Sequence, residues 1–133
     1  MTSEQLSVKT SARTDLVDIT RLVAAVVKKS GIDGGMCFVY VPHTTAGVTI
    51  NENADPDVGH DLKKTLDGLV PWEAGYAHSE GNSAAHVKAS LAGFTASIPV
   101  ERGQLLLGTW QAIYFCEFDG PRSRKVIVKV VGG

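Results

Sequence analysis

The chain has 133 residues, enough for one domain with a real core and too few for two. Its 13 Lys and Arg against 14 Asp and Glu leave a net charge of -1, with no basic stripe of the kind that tracks nucleic acid. Its two cysteines, Cys37 and Cys116, each lie in an apolar run and read as reduced core thiols rather than a disulfide framework. No apolar run reaches the about 18 residues of a membrane helix, and Met1 to Gln5 carries no signal-peptide pattern. The expectation is a cytoplasmic protein without nucleic-acid or membrane partners.

Leu6, Val8 and Thr10 alternate with polar neighbours and predict a first strand. Leu16, Ile19, Leu22, Val23 and Val26 follow the helical period, predicting a helix capped by Thr14 or Asp15. Lys28 and Lys29 suit its last turn and Gly31 its C-terminal cap. Met36 to Val41 reads as a buried strand and Thr45 to Asn51 as another. Asp55 and Pro56 open a second helix with Val58, Leu62, Leu66 and Leu69 as its apolar stripe, ended by Pro71. Trp72 to Gly81 is a loop by composition. A short helix is expected from Ser83 to Ala92, stopped by Gly93. Strands are expected at Thr95 to Val100, Leu105 to Thr109, Gln111 to Glu117 and Lys125 to Val131, with Asp119-Gly120-Pro121 as a turn. The pattern predicts one α+β domain over 1–133, with about three helices and mixed or antiparallel sheets.

Polar residues that resist burial cluster in four places. His43 ends a strand, His78 lies on a loop, and His86 lies in the first turns of a helix. Imidazole nitrogen ligates zinc and other first-row metals, and three ligands plus water make an open catalytic site. The eight-residue spacing of His78 and His86 is no local metal signature, so capping or surface roles compete with ligation. His60 lies off its helix stripe and reads as exposed. In the run from Asn51 to Asp57, Asp55 is explained by capping and Asp57 by the helix dipole, whereas Glu52 is free to act as ligand or base or simply to be solvated. Asn82 and Ser83 stand at a helix start, where backbone N–H groups favour anions. Lys88 points away from His86 and reads as a surface lysine.

Arg122 and Arg124 share one side of the chain and could clamp a phosphate or serve as edge-strand charges. Trp110 and Gln111 interrupt two apolar strands, the indole being read as core with its N–H finding a partner. No dinucleotide, P-loop, nucleophile-elbow or zincin motif occurs.

The stretches His43-Thr44-Thr45-Ala46, Ile50-Asn51-Glu52-Asn53, Asp55-Pro56-Asp57-Val58, His78, Asn82-Ser83-Ala84-Ala85-His86, Gly108-Thr109-Trp110-Gln111 and Gly120-Pro121-Arg122 resemble, in order, the YjbQ-like family. Its members are described as secondary thiamine-phosphate synthases. The resemblance runs from about Thr14 to Val131. It implies a homotrimer in which His43, His78 and His86 gather with the Asn51-Glu52 region in one polar site. It also implies that these histidines hold a divalent metal ion (zinc, manganese or magnesium), with His43, His86 and Glu52 catalytic. Asn51, Asn82, Ser83, Trp110, Gln111, Arg122 and Arg124 would bind substrate, and Trp110 or Tyr76 would stack on a ring. The implied reaction joins a pyrimidine pyrophosphate to a thiazole phosphate, so the expected partner is a small phosphorylated metabolite. Two alternatives stand beside it: a metal-assisted hydrolase with Glu52 as base, and a non-catalytic trimer that binds a small anion.

Overall fold

The alternating apolar stretches at the two ends of the chain pair with each other. In the computed structural model, which describes residues 2–133, β1 (Thr2–Lys9) runs antiparallel to β8 (Ser123–Gly132), from Thr2 opposite Val130 to Lys9 opposite Ser123. Met1, the first residue of the predicted span, lies outside the described residues. On its other edge β8 pairs with β3 (Gly35–Tyr40), which in turn pairs with β5 (Thr95–Glu101) and then β6 (Gln104–Leu105). Every pairing in this five-stranded sheet is antiparallel. Alternation turns Val8, Cys37, Val39, Ile98, Val100, Val126, Val128 and Val130 to one buried face. Burial pushes the Cys37 thiol up to about 11 and the Cys116 thiol up to about 12, so both stay protonated near neutral pH.

A second sheet takes the order β2 (Asp15–Asp18), β7 (Gln111–Glu117), β4 (Ala46–Glu52), again antiparallel. Its central strand is buried on both faces, which is why β7 reads as a continuous apolar run rather than an alternation. Ile113 and Phe115 join the main core with Val23, Val26 and Val27 of α1 (Thr20–Ser30). Ala112, Tyr114 and Cys116 meet the helices on the outer face, α2 (Pro56–Leu69) and α3 (Ser83–Ala92). The chain is thus an α+β domain, with three helices and eight strands among the described residues. None of these helices is long and apolar enough to cross a membrane.

The first helix starts later than its periodicity predicts. Asp15–Asp18 is strand β2, with Leu16 opposite Cys116 and Val17 opposite Phe115. Leu16 and Ile19 have a helical spacing, but pairing with β7 claims the first of them for the sheet. Neither Thr14 nor Asp15 caps the helix. Instead the Asp18 carboxylate accepts from the Thr20 N–H at 2.9 Å and the Thr20 hydroxyl at 2.6 Å. Gly31 closes the helix in the left-handed conformation (φ 69°), as its position predicted.

The strand expected over Leu105 to Thr109 is also shorter, ending at Leu105. The next N–H, of Leu106, reaches the Pro99 carbonyl at 2.8 Å, but Pro99 has no N–H to return the bond. From there the chain folds into a turn in which the Gln111 side-chain oxygen accepts from the Gly108 N–H at 2.8 Å.

The helices on the outer face differ in depth. Asp55 caps α2 by accepting from the Asp57 N–H at 2.9 Å, with Pro56 at the first turn, yet no residue of α2 is fully buried. By contrast α3 buries Ala84, Ala85, Lys88 and Ala89. Small residues permit that approach. A Cβ at Gly47 of β4 would come within 2.4 Å of the Gly93 carbonyl oxygen at the end of α3, and the neighbouring Val48 N–H donates to that same oxygen at 3.0 Å.

Candidate active site

The site grows from the end of the second sheet where β4 begins and β7 ends. There Glu117, wholly buried, faces Arg124 at 4% exposure. Glu117 Oε1 accepts from Arg124 Nε at 2.9 Å and from the Thr10 hydroxyl at 2.8 Å, and Oε2 accepts from Arg124 Nη2 and from the Asp119 N–H at 3.1 Å. Arg124 Nη2 also donates to the Thr45 hydroxyl at 2.8 Å. Burial alone would raise the Glu117 pKa, but the hydrogen bonds from Arg124, Asp119 and Thr10 and the charge of Arg124 pull it below the ordinary carboxylate value. The pair therefore stays ionised and ties together β7, β8, the Thr45 loop and the end of β1.

A pocket of about 480 Å³ opens over this pair. His43, His78, His86, Asn82, Asp119 and Arg122 line it, together with Arg124 and Thr45. The three histidines thus come together, although they arrive from a strand end, a loop and a helix. The rings of His78 and His86 meet edge to face with centroids 5.6 Å apart. His43 Nε2 accepts the Lys125 N–H at 2.9 Å, so the neutral ring carries its proton on Nδ1. Burial, and then the positive charge of Arg124, hold the His43 pKa below the ordinary imidazole value.

On the rim, Asp119 Oδ2 accepts from Asn82 Nδ2 at 3.0 Å and from Arg122 Nη2 at 3.1 Å. Arg122 Nε also donates to the Asp119 carbonyl at 2.9 Å, which braces the guanidinium while leaving its side chain 49% exposed. Asn82 precedes α3 but its side chain does not cap the helix, and its Oδ1 is buried without a hydrogen-bond partner. Ser83 opens α3 beside the pocket without lining it.

Four of the predicted site residues lie elsewhere in the chain. Asn51 and Glu52 end β4, and Glu52 pairs with Gln111 at the start of β7. Six strand steps separate Glu52 from the histidine end of β4, about 20 Å. Asn51 accepts the Glu52 N–H at 2.8 Å, Gln111 holds its own turn, and Trp110 is 63% exposed rather than core. Tyr76 is likewise not a wall of this pocket; its hydroxyl donates to the Pro71 carbonyl at 2.7 Å. Arg124 does reach the pocket, but as its buried floor and not as a free clamp.

A three-histidine metal centre needs a free ring nitrogen from each of His43, His78 and His86. With Nε2 of His43 taken by the Lys125 N–H and its proton on Nδ1, that ring offers no lone pair. Among the described residues no three His, Cys, Asp or Glu side chains are grouped to hold one ion. The implied three-histidine centre does not fit this geometry.

Asp119 and Glu117 are the members that sequence reasoning missed. Asp119 was absorbed into a turn signal. Glu117 carried a usable one, a carboxylate closing an otherwise apolar strand.

Residues 4–133 match the family model described as UPF0047 protein YjbQ-like. The chain is 52% identical over 128 residues to the UPF0047 protein YugU of Bacillus subtilis, covering 96% of this chain and 97% of that one. It superposes with a TM-score of 0.95 on a crystal structure of an uncharacterised YjbQ/UPF0047 protein from Clostridium acetobutylicum, 55% identical, covering 96% and 99% of the two chains. A YbjQ-like protein of unknown function from Sulfolobus solfataricus gives the same TM-score, 0.95, at 33% identity, covering 99% and 97%.

Proposed function

We propose, from the premise that this chain belongs to the YjbQ-like UPF0047 family, that the histidine pocket binds a small phosphorylated metabolite and promotes the departure of its pyrophosphate. The observation that carries this reading is the convergence of Arg122, Asn82 and three histidines over a floor whose own charges are already paired. The Arg124–Glu117 charges cancel locally, and Asp119 and Glu80 line the pocket beside Arg122 and His78, so what a ligand meets is the open N–H groups of Arg122 and the histidine rings.

In the transfer implied by the family resemblance, the bond between a pyrimidine methylene and its pyrophosphate oxygen breaks, and the electron pair leaves with the pyrophosphate. The ring nitrogen of thiazole phosphate then forms the new carbon–nitrogen bond. Negative charge grows on the leaving oxygen, where N–H groups of Arg122, His78 and His86 would stabilise it. No base is needed for this step. The hydrolase alternative needs one, and its base, Glu52, stands at the far end of β4.

The homotrimer belongs to the same proposal. Leu69, Leu91, Leu106 and Trp110 are large apolar side chains exposed in the protomer, and contact with further copies would cover them. Sedimentation of the purified protein at three protomer masses tests it.

The functional test supplies the pyrimidine pyrophosphate and thiazole phosphate to purified protein and measures thiamine phosphate. Product should form and should fall by about 100-fold or more in His86→Ala and Arg122→Ala. No product above a protein-free control would end the synthase reading.

A further inference from the structure

Helix α3 presents two polar side chains to two different cavities. His86 lines the pocket described above, and Lys88 lines another, of about 510 Å³, walled by Arg13, Thr14, Asp67 and Trp72. Lys88 is only 2% exposed, and lysine is almost never buried so deeply unless paired. Its partner is Asp67 of α2, whose Oδ1 also accepts from the Thr14 hydroxyl at 3.0 Å. That carboxylate is 49% exposed, so the pair is open on one side. An ammonium has three N–H groups, and among the described residues Lys88 uses one. The Arg13 guanidinium stands 4.1 Å over the Trp72 ring, held against the cavity wall. Two cations against one carboxylate leave the cavity net positive. Asp67 itself demonstrates the fit of an oxygen anion between an ammonium and a hydroxyl here.

We infer that this cavity is a second anion site, which takes the carboxylate or phosphate group of a small molecule between Lys88 and Arg13. It shares no lining residue with the histidine pocket, so the two proposals stand or fall separately. The competing role is a latch, with Lys88, Asp67 and Thr14 doing no more than tying α2 to α3 and to the segment before β2.

The chain has two tryptophans, so Trp110→Phe leaves Trp72 as the sole indole reporter. That protein is titrated with inorganic phosphate and, separately, with acetate at constant ionic strength, following Trp72 fluorescence. The expected result is a saturable change with at least one anion, the tighter one naming the group recognised. The half-saturating concentration should rise at least about tenfold in Lys88→Met and in Arg13→Gln, a loss of about 1.4 kcal/mol, and should be unaltered in His86→Ala. Arg13→Gln alters an exposed side chain and decides the matter alone if Lys88→Met fails to fold. No saturable change with either anion, a change that survives Arg13→Gln, or a change lost in His86→Ala would each overturn the assignment and leave the latch.

Discussion

Arg124 and Arg122 border the same pocket two residues apart, and burial separates what each contributes. Arg124 is sealed beneath the pocket, its charge met by Glu117 and its donors spread over Glu117 and Thr45. Arg122 lies on the rim, braced by Asp119 but half open to solvent. The floor sets the geometry of the strand ends and the His43 loop, whereas the rim pair keeps outward-facing guanidinium N–H groups to offer a ligand. A paired charge in the interior holds structure together mainly because removing its partner is so costly. A solvated pair adds little to stability, and the donors it leaves facing water are open to a ligand.

The largest effect should come from breaking the floor. Arg124→Met strands the Glu117 carboxylate without its counter-charge and should cost about 3–5 kcal/mol in urea unfolding. Adding Glu117→Leu to that variant should recover much of the loss. A single-variant loss below about 1 kcal/mol would mean that water already compensates the pair and that floor and rim do not differ as described.

The acid limb of stability should come next. The folded-state pKa of Glu117 is depressed, so its contribution is present above the unfolded value and is lost as pH falls through the folded one. His43 adds in the same direction. Its folded pKa is also depressed, so the unfolded chain takes up that proton first, and stability falls as pH drops below the ordinary imidazole range. Urea midpoints measured from neutral pH downward should decline in the wild type. Glu117→Gln should flatten the most acidic part of the decline and His43→Asn the part just below neutrality. A wild-type profile retained in both variants would place the acid sensitivity elsewhere.

The smallest stability effect should come from the rim. Arg122→Ala should change unfolding free energy by no more than about 1 kcal/mol. Pyrophosphate affinity should drop at least about tenfold in the same variant, or about 1.4 kcal/mol. Equal losses in stability and binding would erase the distinction between the two arginines.

Local signals made much of this fold legible. Gly93 and the helix start at Ser83 bound α3 as expected, and the apolar run Gln111–Glu117 is β7 residue for residue. What could not be read locally depended on pairing. Leu16 keeps helical time with Ile19, and only its place opposite Cys116 makes it a strand residue. Lys88 looked like a surface lysine because its partner, Asp67, lies on another helix. The gathering of His43, His78 and His86 was implied by resemblance and not by spacing. The same resemblance drew Asn51, Glu52, Trp110 and Gln111 toward them, yet the antiparallel pairing of β4 and β7 carries all four to the opposite end of the sheet. Proximity in a motif list says nothing of which strand end a residue occupies.

The central claim is that the histidine pocket binds the phosphate end of a metabolite. Its most direct test is a pyrophosphate titration followed through the histidine ring resonances in NMR spectra, assigned with His78→Ala and His86→Ala. The account predicts saturable shifts of the His78 and His86 rings that collapse in Arg122→Ala, with the exposed His60 ring unmoved. Shifts equal at all four histidines, or none at His78 and His86, would contradict it.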